Sequence, residues 1–202
     1  MKKYLFILIT LFIFPISVFA KEKVTLVKCV DGDTANFNLN GEVIKTRFLA
    51  IDTPESTKEK EPYGKEASNF TCEALTNAKK IEIEYDHDSN KTDKYSRHLV
   101  WVFVDGKLLQ EKILAEGLAE IAYLYGDYKY TEDLQKVEAK AKEKKLNIWS
   151  GKIPEDFKEV NKTNAEKKEV TKEKIEERTW IDYVIIILAA IIVLLKNYIK
   201  KR

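Results

Sequence analysis

Arginine is scarce in this chain of 202 residues, although basic residues are common. Among its 35 lysines and arginines, only Arg47, Arg97, Arg178 and Arg202 are arginines. Arginine grips a phosphate or carboxylate with a planar, permanently charged fork, whereas lysine offers a single point charge. Arg47 and Arg97 lie in the central part of the chain, where they serve either structural ion pairs or the binding of an anion.

Histidine and cysteine are also rare. His87 and His98 are the only histidines, which argues against a histidine-rich zinc site. The only cysteines, Cys29 and Cys72, form no CxxC pair, so neither a redox motif nor a thiolate metal site is indicated. If the chain is exported, a disulfide between them is permitted, but the spacing does not show whether they meet.

The chain also has no large excess of positive or negative charge. The chain has 35 basic and 33 acidic residues, and six of the basic ones lie in its two terminal segments. The remainder is therefore slightly acidic. This balance argues against a protein that coats nucleic acid by bulk electrostatics, and any polyanion would need a local site.

The N-terminus has the pattern of a secretory signal peptide. Lys2 and Lys3 precede a short apolar run that ends in the small-residue sequence VFA, which predicts a signal peptide over 1–20. An uncleaved membrane anchor is the alternative. Either way, the sequence predicts that the following domain, 21–151, is exported.

A second apolar segment lies near the C-terminus. Residues 180–198 are long enough to span a bilayer, and the basic residues after them predict a cytoplasmic tail at 199–202. A helix lying in the membrane surface is the alternative. The highly charged segment 152–179 is predicted to be a helical or disordered stalk. The domain 21–151 would then be anchored outside the cell membrane.

The central domain is predicted to be mainly β. Alternating apolar residues indicate five strands, and amphipathic patterns indicate three helices, the third beginning with Thr131 as its N-cap. The strands are predicted at 24–30, 34–39, 43–51, 81–87 and 98–104, and the helices at 63–78, 108–119 and 131–149. One helix after the third strand and two after the fifth favour a five-stranded OB-type Greek-key barrel with helices packed outside it.

Charged residues cluster where two of these strands end. Asp31 and Asp33 flank a glycine in the first hairpin, and Asp52 follows the strand that carries Arg47. In a regular strand Arg47 and Asp52 would face opposite sides, so an irregular strand end is needed to bring them together. Two carboxylates and a backbone carbonyl suit a hard cation such as calcium, although acidic turns are common.

Five motifs occur in order along the domain. Together they resemble the staphylococcal nuclease (thermonuclease) family over residues 23 to 150, and the resemblance implies an OB-type barrel with three helices. The motifs are VDGDT (30–34), RFLAIDTPE (47–55), YGKEAS (63–68), TDKYSR (92–97) and LNIWS (146–150).

The resemblance implies a calcium-dependent, monomeric nuclease that hydrolyses DNA and RNA, cleaving the P–O5′ bond and leaving 3′-phosphates. One calcium ion would be bound by the carboxylates of Asp33 and Asp52 and the backbone carbonyl of Thr53. Asp31 and Asp93 would be supporting carboxylates next to the site.

The same resemblance assigns the catalytic and substrate-binding residues. Glu55 matches the glutamate that orients or deprotonates the attacking water, and Arg47 and Arg97 match the arginines on the scissile phosphate. Two further pairs match substrate-binding residues near a terminal phosphate and beside the base: Lys94 with Tyr95, and Tyr123 with Tyr125.

This sequence departs from the family pattern in three places. Ser96 stands where a glycine is usual, His98 replaces a small residue, and the loop 56–62 is short. A positive φ at residue 96 would be strained by serine. Two alternatives to a nuclease are a catalytically inactive OB-type module that binds nucleic acid at the membrane, and a structural membrane protein whose barrel binds a protein partner.

Overall fold

The computed structural model of the protein describes residues 20–57 and 60–200. The chain divides into two units, Met1–Lys152 and Ile153–Arg202. The predicted signal peptide, 1–20, lies outside the described residues except for Ala20. The first unit contains all the strands of the described chain and the first three α-helices.

Eight strands form in the first unit, five of them long. In chain order they are β1 (Glu22–Asp31), β2 (Thr34–Leu39), β3 (Glu42–Phe48), β4 (Ile51–Asp52), β5 (Ile81–Glu84), β6 (His98–Val104), β7 (Lys107–Leu108) and β8 (Glu120–Ile121). The main sheet has the order β3-β2-β1-β5-β6-β7, and a parallel pairing of β6 with β3 closes it into a barrel. The predicted five-stranded barrel with helices is therefore confirmed, and the three two-residue strands are additions to it.

The β2–β3 hairpin shows how the local sequence directs this topology. Asn40 and Gly41 form its two-residue turn with φ values of 54° and 94°. Both values are positive, which suits an Asn-Gly pair and matches the twist of the flanking strands. The turn fixes the register in which Thr34 lies opposite Arg47.

Three helices cover the barrel: α1 (Gly64–Thr76), α2 (Leu109–Ala115) and α3 (Thr131–Glu143). Their apolar faces bury residues such as Leu75, Ile113 and Leu134 in a core that also contains Phe37 and Trp101 of the barrel. Burial of each large apolar side chain contributes about 2–3 kcal/mol to stability. The core thus gives the site a rigid support.

Cys29 and Cys72 form a disulfide, which answers the question that the sequence left open. Their Cα atoms are 5.5 Å apart, and the bond joins β1 to α1 across 43 residues of sequence. Cys29 lies two residues before Asp31 in β1. The disulfide therefore ties the strand that leads to the acidic hairpin to the helix beside it.

Some predicted boundaries are wrong. Predicted strand 81–87 ends at Glu84, because Asp86 leaves the sheet to accept hydrogen bonds from Trp101 Nε1 at 2.7 Å and Lys129 N–H at 3.0 Å. The third helix ends at Glu143, and a separate 3₁₀-helix covers Asn147–Trp149. Thr131 is not the N-cap of α3: it is the first helical residue, and its hydroxyl is buried without a hydrogen-bond partner.

The second unit consists of one helix, α4 (Glu155–Lys200). The stalk predicted at 152–179 is thus helical over most of its length, and α4 continues from it into the apolar segment without a break. Among the helices of the described chain, none combines the length and the apolar character that crossing a bilayer requires. The transmembrane helix predicted at 180–198 is therefore not found.

Candidate active site

Most of the predicted site residues line one cleft in the first unit. The cleft has a volume of about 900 Å³. Of the twelve predicted residues only Thr53 does not line it, because its side chain is buried behind the surface. The residues that line it are Asp31, Asp33, Arg47, Asp52, Glu55, Asp93, Lys94, Tyr95, Arg97, Tyr123 and Tyr125.

Arg47 lies between two carboxylates in the floor of the cleft. Its Nη1 is 2.7 Å from Asp33 Oδ2, and its Nη2 is 2.6 Å from Asp52 Oδ1. Nη1 also donates to the Ile51 carbonyl at 2.9 Å. The Arg47 side chain is only 10% exposed. These three contacts therefore fix the position of a largely buried guanidinium.

A turn after β3 makes this arrangement possible. β3 ends at Phe48, and Ala50 adopts a φ of 63° before β4 begins at Ile51. This left-handed residue reverses the alternation of the strand, and Asp52 comes to the side where Arg47 lies. The irregular strand end that the sequence required is this turn.

Asp33 is held in a buried, polar environment. Burial raises the pKa of its carboxyl, whereas the Arg47 guanidinium and a hydrogen bond from Thr53 N–H lower it, and the pKa lies above its ordinary value. Asp33 Oδ2 accepts the Thr53 N–H at 3.1 Å, and Oδ1 accepts the Thr34 hydroxyl at 2.9 Å. A second positive charge near Asp33 would favour its ionised form.

The oxygen groups around Asp33 fit a hard cation. Asp33 and Asp52 line the cleft and supply carboxylates, and Thr53, whose backbone carbonyl is the predicted third ligand, donates its N–H to Asp33 Oδ2. Calcium prefers such all-oxygen sets and completes its shell with water. In the described part of the chain, no three His, Cys, Asp or Glu side chains are grouped to hold a metal, so water or substrate oxygens would have to supply the remaining ligands.

Glu55 lies in an exposed loop that is fixed at both ends. On one side, the Pro54 and Glu55 backbone packs so closely on the start of α1 that a Cβ on Gly64 would clash with the Glu55 carbonyl oxygen. On the other side, the Ser56 hydroxyl donates to Asp31 Oδ1 at 2.8 Å. The loop therefore holds Glu55 at the edge of the cleft.

The acidic surroundings change the proton affinity of Glu55. Burial raises the pKa of its carboxyl, and the neighbouring Asp31 and the charge of Asp33 raise it further. A higher pKa makes the carboxylate a better proton acceptor. Glu55 thus combines a raised pKa with a position at the cleft.

Asp93 organises the loop that carries Arg97. Its Oδ1 accepts the N–H groups of Tyr95 and Arg97, both at 2.9 Å, and its Oδ2 accepts Arg97 Nε at 2.7 Å. Although burial raises the pKa of Asp93, these hydrogen bonds lower it below its ordinary value. Arg97, held by Asp93 in this way, also lines the cleft.

Ser96 adopts a φ of 60°. This is the strained backbone conformation expected at this position, where the family pattern has a glycine. We expect Ser96→Gly to raise the free energy of unfolding by about 1 kcal/mol, because glycine reaches positive φ without a Cβ clash. Thermal unfolding measures the change. Ser89→Gly, at a loop serine outside this region of φ, is the control and should not stabilise. Equal effects of the two substitutions would contradict the assignment of strain to Ser96.

Two tyrosines, Tyr123 and Tyr125, also line the cleft. Tyr123 places its ring 5.4 Å from the Arg47 guanidinium and donates its hydroxyl to Asp52 Oδ2 at 3.4 Å. The charge of Asp52 raises the pKa of Tyr123, and burial adds to this. Tyr125 is 84% exposed, so its ring is free to stack on a flat ligand.

Comparison of the sequence with models of known protein families shows the family of this chain. The model of the Staphylococcal nuclease homologue family matches residues 45–151, more than half of the chain. The chain belongs to this family. The recognition made from the five motifs is therefore confirmed at the level of the family.

Named relatives of this chain include bacterial endonucleases. The SPbeta prophage-derived endonuclease YokF of Bacillus subtilis (strain 168) is 47% identical over 131 residues, which are 63% of this chain and 44% of the relative. Endonuclease YncB of the same strain is 44% identical over 131 residues, 63% of this chain and 61% of the relative. The thermonuclease of Staphylococcus hyicus is 38% identical over 128 residues, 62% of this chain and 74% of the relative. The chain thus spans less than two thirds of the two Bacillus endonucleases.

Several groups that build the candidate site were not found from the sequence. Thr34 donates to Asp33, Ser56 donates to Asp31, and the buried Thr71 hydroxyl donates to the Gly32 carbonyl at 2.6 Å. Single hydroxyls in loops and helices carry no distinctive pattern. Only Thr34 had a usable signal, since it lies in the DGDT motif beside Asp33.

Proposed function

We propose that the first unit is a calcium-dependent nuclease that hydrolyses DNA and RNA, cleaves the P–O5′ bond and leaves 3′-phosphates. The observation that carries this proposal is the pairing of Arg47 with Asp33 and Asp52 in a cleft that Glu55 and Arg97 also line. Membership of the family and the printed names of its relatives support the class of reaction.

The arginines suit the charge that develops in phosphodiester hydrolysis. The attacking oxygen must approach an anionic phosphorus, and negative charge grows on the equatorial oxygens in the transition state. Arg47 is held rigidly by its contacts, and Arg97 is oriented by Asp93. Because both donors are already positioned, little reorganisation is needed when the charge develops.

Glu55 is the group proposed to accept a proton from the attacking water or to orient that water. Its raised pKa, its exposed position and its fixed loop support this role. Asp33, Asp52 and Thr53 are proposed to hold one calcium ion. The ion would supply further positive charge next to the reacting phosphate.

The aromatic residues indicate the type of substrate. Tyr95, Tyr123 and Tyr125 present exposed rings in or beside the cleft, and stacking on tyrosine accepts any base. Lys94 adds a positive charge 5.0 Å from the Tyr95 ring. We therefore propose a substrate of unpaired or frayed nucleic acid without sequence preference, bound by a monomer.

Removal of calcium tests the proposal. We expect the purified chain to cleave single-stranded DNA and RNA in calcium, and to lose at least about 100-fold in rate when EDTA is added, because charge stabilisation at the phosphate is lost. Gel assays with end-group analysis measure the rate and the 3′-phosphate products. Restored activity on adding back calcium is the control.

Two outcomes would contradict this function. Binding of nucleic acid without cleavage in calcium would indicate the inactive OB-type module instead. Cleavage that resists EDTA would show that Asp33, Asp52 and Thr53 do not hold a required cation.

We also propose that the nuclease unit acts outside the cytoplasm. The Cys29–Cys72 disulfide supports this, because disulfides persist in oxidising compartments. Attachment to the membrane through 180–198 stays a prediction from the sequence. Protease accessibility of the unit in intact cells, with fractionation of the membrane, tests both points.

A further inference from the structure

A row of polar side chains crosses the barrel next to the candidate active site. Lys28 of β1 lies opposite Asn36 of β2, and Asn36 lies opposite Lys45 of β3. Residues directly opposite each other on neighbouring antiparallel strands point to the same face. Both lysines are exposed and Asn36 is partly exposed, so this face is open to solvent. We call these three residues the lysine row.

The lysine row lies next to the row of strand residues that contains Arg47. The next row on this face contains Thr34, two residues before Asn36 in β2, and Arg47, two residues after Lys45 in β3. Two residues of a β-strand span about 7 Å, so the backbone of Lys45 is about 7 Å from that of Arg47. Lys45 is therefore a near neighbour of Arg47 on the same face of β3.

Only part of the lysine row lies in the same cleft, since Lys28 is not among the residues that line it. Asn36 and Lys45 both line it together with Arg47 and Arg97. A nucleic-acid strand whose phosphate lies at Arg47 and Arg97 would therefore meet Lys45 without leaving the cleft. The amide of Asn36 adds a hydrogen-bond donor beside the lysine.

The charge of Lys45 is not neutralised within the described chain. No ion pair with Lys45 or Lys28 occurs among residues 20–57 and 60–200, whereas the cleft carboxylates Asp33 and Asp52 are paired with Arg47. An exposed lysine without an acidic partner is available to an anion. Because lysine is a flexible point charge, it tolerates differences in sugar and base.

We propose that Lys45, assisted by Asn36, binds the phosphate next to the scissile phosphate of a single-stranded nucleic acid. This inference rests on the proposed nuclease function and adds a substrate subsite to it. The subsite acts on binding rather than on the chemical step. It therefore makes the enzyme favour chains of several nucleotides over a substrate with a single phosphodiester.

Substrate length provides the test. With full-length protein in calcium, we compare a dinucleotide, which has one phosphodiester, with an oligonucleotide of about eight nucleotides. We expect Lys45→Ala to raise KM for the oligonucleotide about five-fold, with kcat within about two-fold, since one exposed phosphate contact is worth on the order of this factor. The loss should be at least about three-fold smaller on the dinucleotide.

Matched variants separate the subsite from general effects of charge. Lys45→Arg should keep most of the oligonucleotide affinity, and Lys45→Gln should behave like Lys45→Ala. Lys107→Ala removes an exposed strand lysine that does not line the cleft, and it should not change the preference for length. The dependence of log KM on log salt should become shallower by about 0.7 for Lys45→Ala and Lys45→Gln, but not for Lys45→Arg or Lys107→Ala.

The outcomes distinguish this inference from the function on which it rests. Wild-type protein that cleaves neither substrate would contradict the nuclease function itself. An active wild type with equal losses on both substrates, or no loss in Lys45→Ala, would overturn the subsite alone. A length-dependent loss repeated by Lys107→Ala would also overturn it, because it would reflect only total charge.

Discussion

Replacing Arg47 with lysine should lower kcat/KM for nucleic-acid cleavage by at least about 100-fold, while the protein stays folded. Lysine keeps the positive charge but has no planar fork, so it cannot contact Asp33 and Asp52 together as Arg47 does. Loss of one preorganised donor at a developing anion costs about 100-fold or more. Steady-state kinetics with an oligonucleotide measure the loss.

Burial makes the same substitution costly for stability. The Arg47 side chain is 10% exposed, and that of Asp33 is 9% exposed. Leaving a buried charge without a full partner is destabilising, by several kcal/mol if it is left wholly unpaired. Since lysine can still pair with one carboxylate, we expect Arg47→Lys to unfold at a lower temperature than wild type but to remain folded at 25 °C. Arg47→Ala should be much less stable.

Arg97→Lys is the matched control. The Arg97 side chain is 30% exposed and pairs with a single carboxylate, Asp93. We expect a comparable loss of activity with a smaller loss of stability, because less charge is desolvated. A folded Arg47→Lys protein with activity within about three-fold of wild type would show that the fork of Arg47 is not used in catalysis.

The regular parts of the fold could be predicted because local sequence decides them. Strand β6 was predicted at its observed bounds, since its apolar run HLVWVFV is buried almost throughout. The β2–β3 turn follows from Asn40 and Gly41. The sequence also required an irregular chain between Arg47 and Asp52, although it could not identify Ala50 as the residue with positive φ.

The parts that escaped prediction depend on contacts between distant segments. Strand β5 ends early because Trp101 and Lys129, both far along the chain, hydrogen-bond Asp86. Ser56 meets Asp31 across 25 residues of sequence, and no local pattern marks such a pair. The pairing of Arg47 with both Asp33 and Asp52 likewise could not be predicted from the spacing of these residues in the sequence.

The support of the acidic hairpin by α1 is another contact of this kind. Cys72 and Thr71 are neighbours in α1: Cys72 is bonded to Cys29, and Thr71 donates to the Gly32 carbonyl. The helix therefore holds the hairpin at two points, one covalent and one through a buried hydrogen bond. This arrangement links the stability of the fold to the placement of Asp33.

Removing the disulfide with the double substitution Cys29→Ser and Cys72→Ser should lower the free energy of unfolding by about 2–4 kcal/mol. The bond closes a loop across 43 residues, and its loss increases the entropy of the unfolded chain. For a unit of about 150 residues this corresponds to a fall in Tm on the order of 5–15 °C. Calorimetry or thermal unfolding followed by circular dichroism measures the change.

The effect on the site should be smaller than the effect on stability, because Thr71 still holds Gly32 after the disulfide is gone. We expect the double variant to keep activity within about ten-fold of wild type at 25 °C, with a weaker affinity for calcium. Wild-type protein treated with a reductant should match it in both properties, which controls for the serine side chains. An unchanged Tm would contradict a disulfide that joins β1 to α1 in the folded protein. A fall in Tm without any change in calcium affinity would show that the Thr71 hydrogen bond alone is sufficient to place Asp33.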